Sequence, residues 1–223
     1  MKISRKGFND YFRLFFGVLG LMGIMFMLIN GTIGKAGMDL LWTVENCFSM
    51  FTTQSNAMVS ILFIMLFLYR DKEKPAFLQA HVKGAVTLYI TVTGIIFNLF
   101  LRNLIHPQGV DVYSNLILHY IMPAAAIADW IFGYNKGDFR WKYALYWLSY
   151  PVTYLIFTLI RGRFTTFYPY PFINAANLGY LGVIRNSILL SIFFILLGMI
   201  YIIINKVTVK IIYEKSTESK AMM

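Results

Sequence analysis

The sequence predicts an all-α membrane protein, a bundle of about six transmembrane helices with both termini in the cytoplasm. Composition is the first observation: 58% of the residues are hydrophobic and 13% are charged, whereas a soluble domain carries about 25% charged residues. The second observation is a series of apolar runs long enough to cross a bilayer. The third is that lysine and arginine are concentrated at the two ends of the chain and in every second connection between these runs.

Six apolar runs are candidate spans, since crossing about 30 Å of hydrocarbon takes roughly 20 helical residues. They lie at about 11–31, 46–69, 83–104, 113–133, 143–161 and 184–205. The first run lacks an Ala-x-Ala cleavage site, so we expect it to be retained as a span. Pro123 and Pro151 fall within the fourth and fifth spans, where we expect kinks rather than helix ends. The connections are too short to bury a core, which predicts a single transmembrane domain over 1–223.

Lysine and arginine predict the orientation, because cytoplasmic loops carry the excess of these residues. With six spans, 15 of the 20 basic residues fall on one side and 5 on the other. The larger set comprises Lys2, Arg5, Lys6, Arg13, Arg70, Lys72, Lys74, Lys83, Lys136, Arg140, Lys142, Lys206, Lys210, Lys215 and Lys220. The smaller set comprises Lys35, Arg102, Arg161, Arg163 and Arg185. We therefore expect a multi-pass protein of the cell membrane with both ends inside.

Several function classes are disfavoured. The net charge of +10 does not indicate a nucleic-acid partner, because the basic residues form short clusters without a continuous stripe. The single cysteine, Cys47, excludes an intramolecular disulfide and a CxxC motif. The chain has no Gly-x-Ser motif of a rhomboid protease and no HExxH motif. A metal site from His119, His106, Asp111 and Glu45 matches no known spacing, so neither metal nor cofactor is predicted.

Polar residues concentrate in the predicted outer half of the bundle. The run Thr52–Asn56 (TTQSN) and His119 both lie roughly 10 Å below the outer surface at about 1.5 Å per residue. Hydroxyl and amide side chains in spans often pack helices together, which is the simpler interpretation of TTQSN. An ionisable side chain at this depth is rare and expensive, so His119 is a candidate functional residue. His81 and His106 are expected in loops.

Further polar residues lie near this level. They are Asn98 and Arg102 in the third span, and Tyr150, Tyr154, Thr158 and Arg161 in the fifth. The following loop, RGRFTTFYPYPFINAANLGY, contains Tyr168 and Tyr170, and it is a candidate lid over the bundle. The inner half is expected to be mostly apolar scaffold. Its one buried acid, Asp129, is expected to be structural, paired with a basic residue among Lys83, Arg140 and Lys142.

This cluster offers the parts of a nucleophilic site. Thr52 or Thr53 supplies a hydroxyl, His119 a base, and Asn56 or Arg102 a group for the oxyanion or a carboxylate. A threonine hydroxyl is a poor nucleophile until a base takes its proton, so His119 is essential to this hypothesis.

Four segments carry a family resemblance. They are FTTQSN (Phe51 to Asn56), LHYIMPAAAIADW (Leu118 to Trp130), YPVTYLIFTLIRG (Tyr150 to Gly162) and YPYPF (Tyr168 to Phe172). In order and spacing they resemble the bacterial six-span family known as Pr-six-Pr membrane proteins. That family is distantly similar to the eukaryotic androgen-induced-protein family, whose members hydrolyse fatty acid esters of hydroxy fatty acids with a threonine and a histidine.

The resemblance implies roles for particular residues. The pattern Phe-x-Thr-x-x-[Asn/Asp] fits Phe51, Thr53 and Asn56, which places the catalytic threonine at Thr53 and the histidine at His119. The bacterial family carries an acidic residue one position beyond the residue that follows YPYPF, and here that position is Asn174. The implied protein is an intramembrane hydrolase of lipid or fatty acyl esters from the outer leaflet.

Three hypotheses remain open from the sequence, and the plainest is an assembly factor whose polar groups only pack helices. In the hydrolase, the catalytic pair is supported by Asn56, Gln54, Asn98, Arg102, Tyr154, Arg161, Tyr168 and Tyr170. In the binding alternative, the same polar pocket binds or transports a lipid or small molecule without reacting. Membrane lipids are the expected partners under the hydrolase and binding hypotheses, and the sequence does not indicate an oligomeric state.

Overall fold

A computed structural model of the chain describes residues 5–33, 40–133, 137 and 139–221. Every regular element in these ranges is helical. The α-helices are α1 (Arg5–Ile33), α2 (Leu40–Phe48), α3 (Phe51–Leu68), α4 (Ala80–Ile96), α5 (Asp111–Leu116), α6 (Met122–Phe132), α7 (Tyr143–Tyr146), α8 (Ser149–Thr165) and α9 (Ala175–Ala221). A π-helical turn at Phe97–Leu101 continues α4, and another at Ile117–Ile121 joins α5 to α6.

Six helical segments are long and apolar enough to cross a membrane, which confirms the predicted all-α bundle. They are Asn9–Thr32, Phe51–Leu68, Ala80–Leu101, Asp111–Phe132, Tyr143–Thr165 and Ala175–Lys210. Lys2, Lys35 and Lys136, which the charge count includes, lie outside the described residues. The placement of the termini stays a prediction.

The second predicted span is wrong at its start, because two helices meet there. Ser49 and Met50 separate α2 from α3, and Met50 has an extended backbone with φ −81° and ψ 133°. The Tyr154 hydroxyl bridges the break, accepting from the Phe51 N–H at 3.2 Å and donating to the Ser49 carbonyl at 3.0 Å. The segment from residue 46 to Met50 therefore precedes the span.

The kinks predicted at Pro123 and Pro151 differ in how they agree with the structure. The helical path continues through Pro123, as predicted, and the π turn at Ile117–Ile121 lies directly before it. Pro151 lies in the first turn of α8, where no backbone N–H is needed. A turn at Trp147 and Leu148 separates α7 from α8. The expected kink within one helix is therefore wrong at Pro151, which instead marks a helix start.

Helix α1 lies against α3 and the fourth span along a face of small residues. Gly17, Gly20 and Gly23 recur every three residues on this face. A Cβ atom at Gly17 would lie 2.8 Å from Ile64 Cγ1 and 3.0 Å from the Ser60 carbonyl oxygen. Glycine therefore permits the close approach of the two backbones, as small residues do between membrane helices.

A buried ion cluster lies at Asp129, in what we call the aspartate half of the bundle. Asp129 Oδ1 accepts from Arg13 Nε at 2.8 Å, and Lys83 Nζ lies 2.5 Å from Asp129 Oδ2. Lys83 also donates to the Asp129 carbonyl at 3.1 Å. Asp10, at 3.8 Å from Arg13, completes a set of two acids and two bases. The cluster joins the first, third and fourth spans.

The predicted ion pair between Asp129 and Lys83 is confirmed. The prediction was incomplete, because Arg13 also pairs with Asp129. Arg140 and Lys142, the other expected partners, are exposed. The expectation of a mostly apolar inner half is wrong at this cluster, because four charged side chains are buried there. The sequence pattern gave no reason to place Arg13 on the same face as Lys83.

Aromatic side chains pack where α3, α4, α8 and α9 meet. The ring of Phe51 lies 5.1 to 6.4 Å, between centroids, from the rings of Tyr89, Tyr150, Tyr154 and Phe194. This cluster fixes the first turn of α3, which carries Thr52 and Thr53.

Helix α9 begins with a side-chain cap. Asn174 Oδ1 accepts from the backbone N–H groups of Ala176 at 3.0 Å and Asn177 at 3.2 Å. Aspartate is equally favoured at this position. Asn174 thus caps the helix, as an aspartate at this position would. Gly179, with φ 64°, interrupts the helix one turn later.

Candidate functional site

A cavity of about 810 Å³, lined by both polar and apolar side chains, lies in the half of the bundle that contains His119. We call it the histidine cavity. Its wall is built by the end of α1, by α2, by the start of α3, by α5 with the following π turn, and by the loop after α8. The polar residues that line it are Asn30, Thr43, Asn46, Cys47, Thr52, His106, Gln108, Asp111, Ser114, Asn115, His119 and Tyr170.

His119 is held by two contacts. Its ring stacks on the ring of Phe97, with centroids 3.7 Å apart and planes 14° apart. Its Nδ1 is 3.0 Å from Asn115 Oδ1, which favours the tautomer with the proton on Nδ1. Nε2 then has a free lone pair, and it makes no hydrogen bond within the described residues. The geometry therefore leaves Nε2 able to accept a proton.

Both partners in this stack lie on π-helical turns. Phe97 begins one π turn and His119 is central in the other. Such turns are rare and frequent at functional sites. Gly94 lets the two spans approach, because a Cβ atom there would lie 3.0 Å from Pro123 Cβ. The sequence indicated His119 and gave no sign of either π turn.

Of the two candidate nucleophiles Thr52 and Thr53, Thr52 lines the cavity. Its N–H donates to the Tyr170 hydroxyl at 3.0 Å, and its Oγ1 is 3.1 Å from the same hydroxyl. Burial raises the pKa of the Tyr170 phenol above its ordinary value, so the phenol stays protonated at neutral pH. The loop after α8 is therefore attached to the first turn of α3 through Tyr170, one of the two predicted site residues in the candidate lid.

Thr53 lies behind the cavity wall. It is 0% exposed, and its Oγ1 is 3.8 Å from Cys47 Sγ. Within the described part of the chain, no hydrogen bond joins Thr53 to His119, whose Nδ1 is taken by Asn115. Burial raises the pKa of the Cys47 thiol, and the Thr53 contact opposes this rise. The catalytic pair of Thr53 and His119 stays a prediction.

Other predicted site residues support the break between α2 and α3. Gln54 donates to the Phe48 carbonyl at 2.7 Å and accepts from the Tyr150 hydroxyl. Tyr154 bridges the break, as described above. These side chains position the first turn of α3 without lining the histidine cavity.

The remaining predicted residues make mainly structural contacts. Asn56 is buried and donates to the carbonyls of Thr52 at 2.9 Å and Leu118 at 3.1 Å. Asn98 donates to the Gly94 carbonyl, one turn earlier in its own helix. Arg102 is exposed at the end of the third span. Tyr168 covers Gly162, where a Cβ atom would meet its ring.

Arg161 lies beside the cavity. Its Nη2 donates to Asn46 Oδ1 at 2.7 Å, and its Cζ lies 5.0 Å from the centroid of the Phe167 ring. Both Asn46 and Phe167 line the histidine cavity. Arg161 is thus placed behind a wall made of one amide and one aromatic ring.

An apolar pocket of about 100 Å³ adjoins the histidine cavity. Thr52, Leu101 and Tyr170 line both spaces and therefore form their common wall. The pocket lies between α3, α4, α8 and α9, and apolar side chains form most of its lining. A groove of about 490 Å³ shares Ile96 and Phe172 with the pocket and continues along α4 and α9.

Comparison with known proteins gives no match. No protein-family model matches the chain, and no curated protein or solved structure matches it. The resemblance of the four quoted segments to the Pr-six-Pr family stays an expectation from the residues themselves.

The cavity contains residues that sequence reasoning missed. Asn46 was assigned to the second span and given no role, because the break before α3 was not recognised. Asn115 lies four residues before His119, a spacing that places both on one helix face. That spacing was the available signal for Asn115. His81, expected in a loop, lies in the first turn of α4 and stacks on Tyr143 at 5.2 Å.

Proposed function

We propose that this protein binds a fatty acyl lipid within the membrane, with the polar headgroup in the histidine cavity and the acyl chain in the apolar pocket and the groove that continues it. The observation that carries the proposal is the common wall of Thr52, Leu101 and Tyr170, which separates a cavity that contains many polar side chains from a pocket that is almost wholly apolar. An amphipathic ligand needs these two environments side by side, because its chain gains by leaving water while its headgroup needs hydrogen-bond partners.

The apolar groove supports entry from the side. Leu99 and Leu189 line the groove and are 68% and 62% exposed on the surface of the helix bundle. Ile96 and Phe172 then belong to both the groove and the apolar pocket. A lipid that enters along this line keeps its chain in apolar surroundings throughout, which avoids exposing the chain to water.

A crosslinking experiment tests the binding proposal. A long-chain acyl ester with a photoreactive group near the chain end is expected to label α4 and α9 residues of the apolar pocket. Ser191→Trp fills that pocket and is expected to lower labelling severalfold, since Ser191 lines it. Leu196→Trp on the same helix is the matched control, because Leu196 is 51% exposed. Labelling confined to lipid-facing residues, unchanged by Ser191→Trp, contradicts the proposal.

Ester hydrolysis is the second candidate function, favoured by the free Nε2 of His119 in the cavity wall. In the first step His119 takes the threonine hydroxyl proton while the threonine oxygen attacks the ester carbonyl. The ester C–O bond then breaks, and the alcohol leaves with the proton from His119. Water hydrolyses the acyl-threonine in the reverse sequence and releases the fatty acid.

Two threonines are candidates for the nucleophile. Thr52 lines the cavity, and its hydroxyl is shared with Tyr170. Thr53 fits the family pattern and is enclosed beside Cys47. Attack by Thr53 requires α2 to move away from the first turn of α3. Attack by Thr52 requires its hydroxyl to turn from Tyr170 towards the cavity.

A further inference from the structure

Two hydrogen-bond donors beside the histidine cavity have no partner among the residues that the structure describes. They are Nδ2 of Asn46 and Nη1 of Arg161, and both atoms are buried. A buried donor that lacks an acceptor destabilises the protein, so most such atoms in native proteins are paired. The two atoms belong to side chains that are hydrogen-bonded to each other, which indicates a place for a missing acceptor.

The orientation of the Asn46 amide follows from chemistry. A guanidinium only donates hydrogen bonds, so the Asn46 atom at 2.7 Å from Arg161 Nη2 has to be the oxygen. The amide nitrogen of Asn46 therefore lies on the other arm of the same group, as a donor. Asn46 is 5% exposed and is part of the cavity wall.

The charge of Arg161 is also unmatched. In the aspartate half, Arg13 and Lys83 share the carboxylate of Asp129. Within the described residues, Arg161 has no carboxylate within 4.0 Å. A guanidinium inside a membrane span is expensive without a counter-ion. The Phe167 ring, 5.0 Å from its Cζ, stabilises the charge only in part.

The acidic groups of this region are placed elsewhere. Asp111, which lines the cavity, accepts a hydrogen bond from Ser114 Oγ at 2.7 Å. Glu45, the neighbour of Asn46 in α2, is exposed. Neither carboxylate is within ion-pairing distance of Arg161 in the described chain. The guanidinium of Arg161, which has no carboxylate partner in the described chain, is therefore suited to an anion from outside the chain.

We propose that Asn46 and Arg161 bind the oxyanion of the lipid headgroup, a carboxylate or a phosphate. The inference rests on the proposed binding of an acyl lipid and names its headgroup class. Phe167 covers the guanidinium on the cavity side, so it turns aside when the anion arrives. The headgroup oxygens then accept from Arg161 Nη1 and Asn46 Nδ2, and charge-assisted hydrogen bonds replace the cation–π contact.

A headgroup comparison tests this site. Purified protein in a non-ionic detergent is titrated with laurate, dodecyl phosphate and dodecanol, and bound ligand is counted by native mass spectrometry. Laurate or dodecyl phosphate is expected to bind roughly tenfold or more tightly than dodecanol, since hydrogen bonds to a charged group are the strong ones. Acetate and inorganic phosphate, tested alone, show whether a free anion occupies the site instead of a lipid.

Two substitutions and one control test whether Asn46 and Arg161 cause the preference for anionic ligands. Asn46→Asp places a carboxylate beside Arg161 and is expected to abolish the preference for anionic ligands while the protein stays folded. Arg161→Gln is expected to remove the same preference. Both variants keep dodecanol binding. Arg163→Gln is the matched control, because Arg163 is exposed two residues further along α8, and it is expected to leave all three affinities unchanged.

The outcomes separate this inference from the proposed function. Equal binding of dodecanol, laurate and dodecyl phosphate to the unaltered protein overturns the anion site and leaves acyl binding intact. An anion preference that survives in Asn46→Asp also overturns it. Tight binding of acetate or phosphate alone overturns the lipid as source of the anion. Failure of all three long-chain ligands to bind overturns the proposed function together with this inference.

Discussion

The ring of His119 lies 3.7 Å from the ring of Phe97, nearly parallel to it, and each residue is on a π-helical turn of its own span. Stacking fixes the plane of the imidazole, and Asn115 fixes its rotation. A base held in this way keeps Nε2 in one position, which proton transfer to a bound substrate requires. Because His119 lines the histidine cavity, that cavity is the place to test for catalysis.

Ester hydrolysis by purified protein tests the role of His119. His119→Ala is expected to lower the rate on a long-chain acyl ester by about 100-fold or more, because general base catalysis contributes roughly that much. His81→Ala is the control, since His81 lies in the first turn of α4 and does not line the histidine cavity. A rate that survives in His119→Ala excludes the hydrolase mechanism and leaves lipid binding in place.

The same assay shows which of the two threonines, Thr52 or Thr53, is the nucleophile. If Thr52 is the nucleophile, Thr52→Ala abolishes hydrolysis and Thr53→Ala retains most of it, because Thr53 is enclosed beside Cys47. If the family pattern applies, the result is reversed. Mass spectrometry of protein treated with an acylating probe identifies which threonine carries the acyl group. Loss of binding in both variants indicates a structural effect, which dodecanol titration measures independently.

Removing the carboxylate of the buried ion cluster is expected to be costly. Asp129→Asn leaves Arg13 and Lys83 buried without their shared acid, and breaking a buried pair costs about 3–5 kcal/mol. Thermal unfolding in detergent is the measurement. Asp71→Asn is the control, because its ion pair with Arg70 is exposed and exposed pairs contribute about 0–1 kcal/mol. Equal stability of the two variants contradicts the structural role of Asp129.

Close helix contact is tested at two glycines. Gly17→Ala places a Cβ atom 3.0 Å from the Ser60 carbonyl oxygen, a backbone atom that cannot turn away. We expect a net destabilisation on the order of 1 kcal/mol, because overpacking costs about 1–3 kcal/mol and alanine returns up to ~1 kcal/mol of helix propensity. At Gly198 the nearest atoms are 3.5 Å away, so Gly198→Ala is expected to retain or increase stability.

The Cys47 thiol has a pH dependence that follows from its burial. Burial raises its pKa above the ordinary 9.0, so the thiolate fraction at neutral pH is lower than for a free thiol. Alkylation by N-ethylmaleimide is expected to be slow at pH 7 and to keep accelerating above pH 9.0. Free cysteine is the reference reaction. A rate profile that levels off below pH 9.0 contradicts the expected shift.

The number and approximate positions of the spans were predictable because a bilayer of given thickness requires long apolar runs, and such runs are visible in the order of the residues. The break at Ser49 and Met50 was not predictable, since α2 is apolar enough to extend the run from Phe51 backwards. Its cause is tertiary: the Tyr154 hydroxyl, about a hundred residues away, satisfies backbone groups on both sides of the break.

The candidate site was predicted in part. His119 is informative by residue type, because an imidazole in a span is rare. Which side chains line the cavity beside His119 depends on how each helix is rotated and on the π turns, because both change the face that a residue occupies. Thr53 and Asn56 therefore turned out to be enclosed, whereas Thr52 and Asn46 reached the cavity. Arg13 and Lys83 were assigned to cytoplasmic ends by charge alone, which gave no information on their burial.

The bridge formed by Tyr154 has a mechanical consequence. One phenol from α8 contacts the backbone before and after the break, so α2 and the first turn of α3 are connected to the same point of a distant span. Arg161, two turns further along α8, is bonded to Asn46 of α2. With two attachment points on one helix, α2 cannot tilt without pulling α8. Displacement of either helix by a ligand is therefore expected to be transmitted to the other as a rigid coupling.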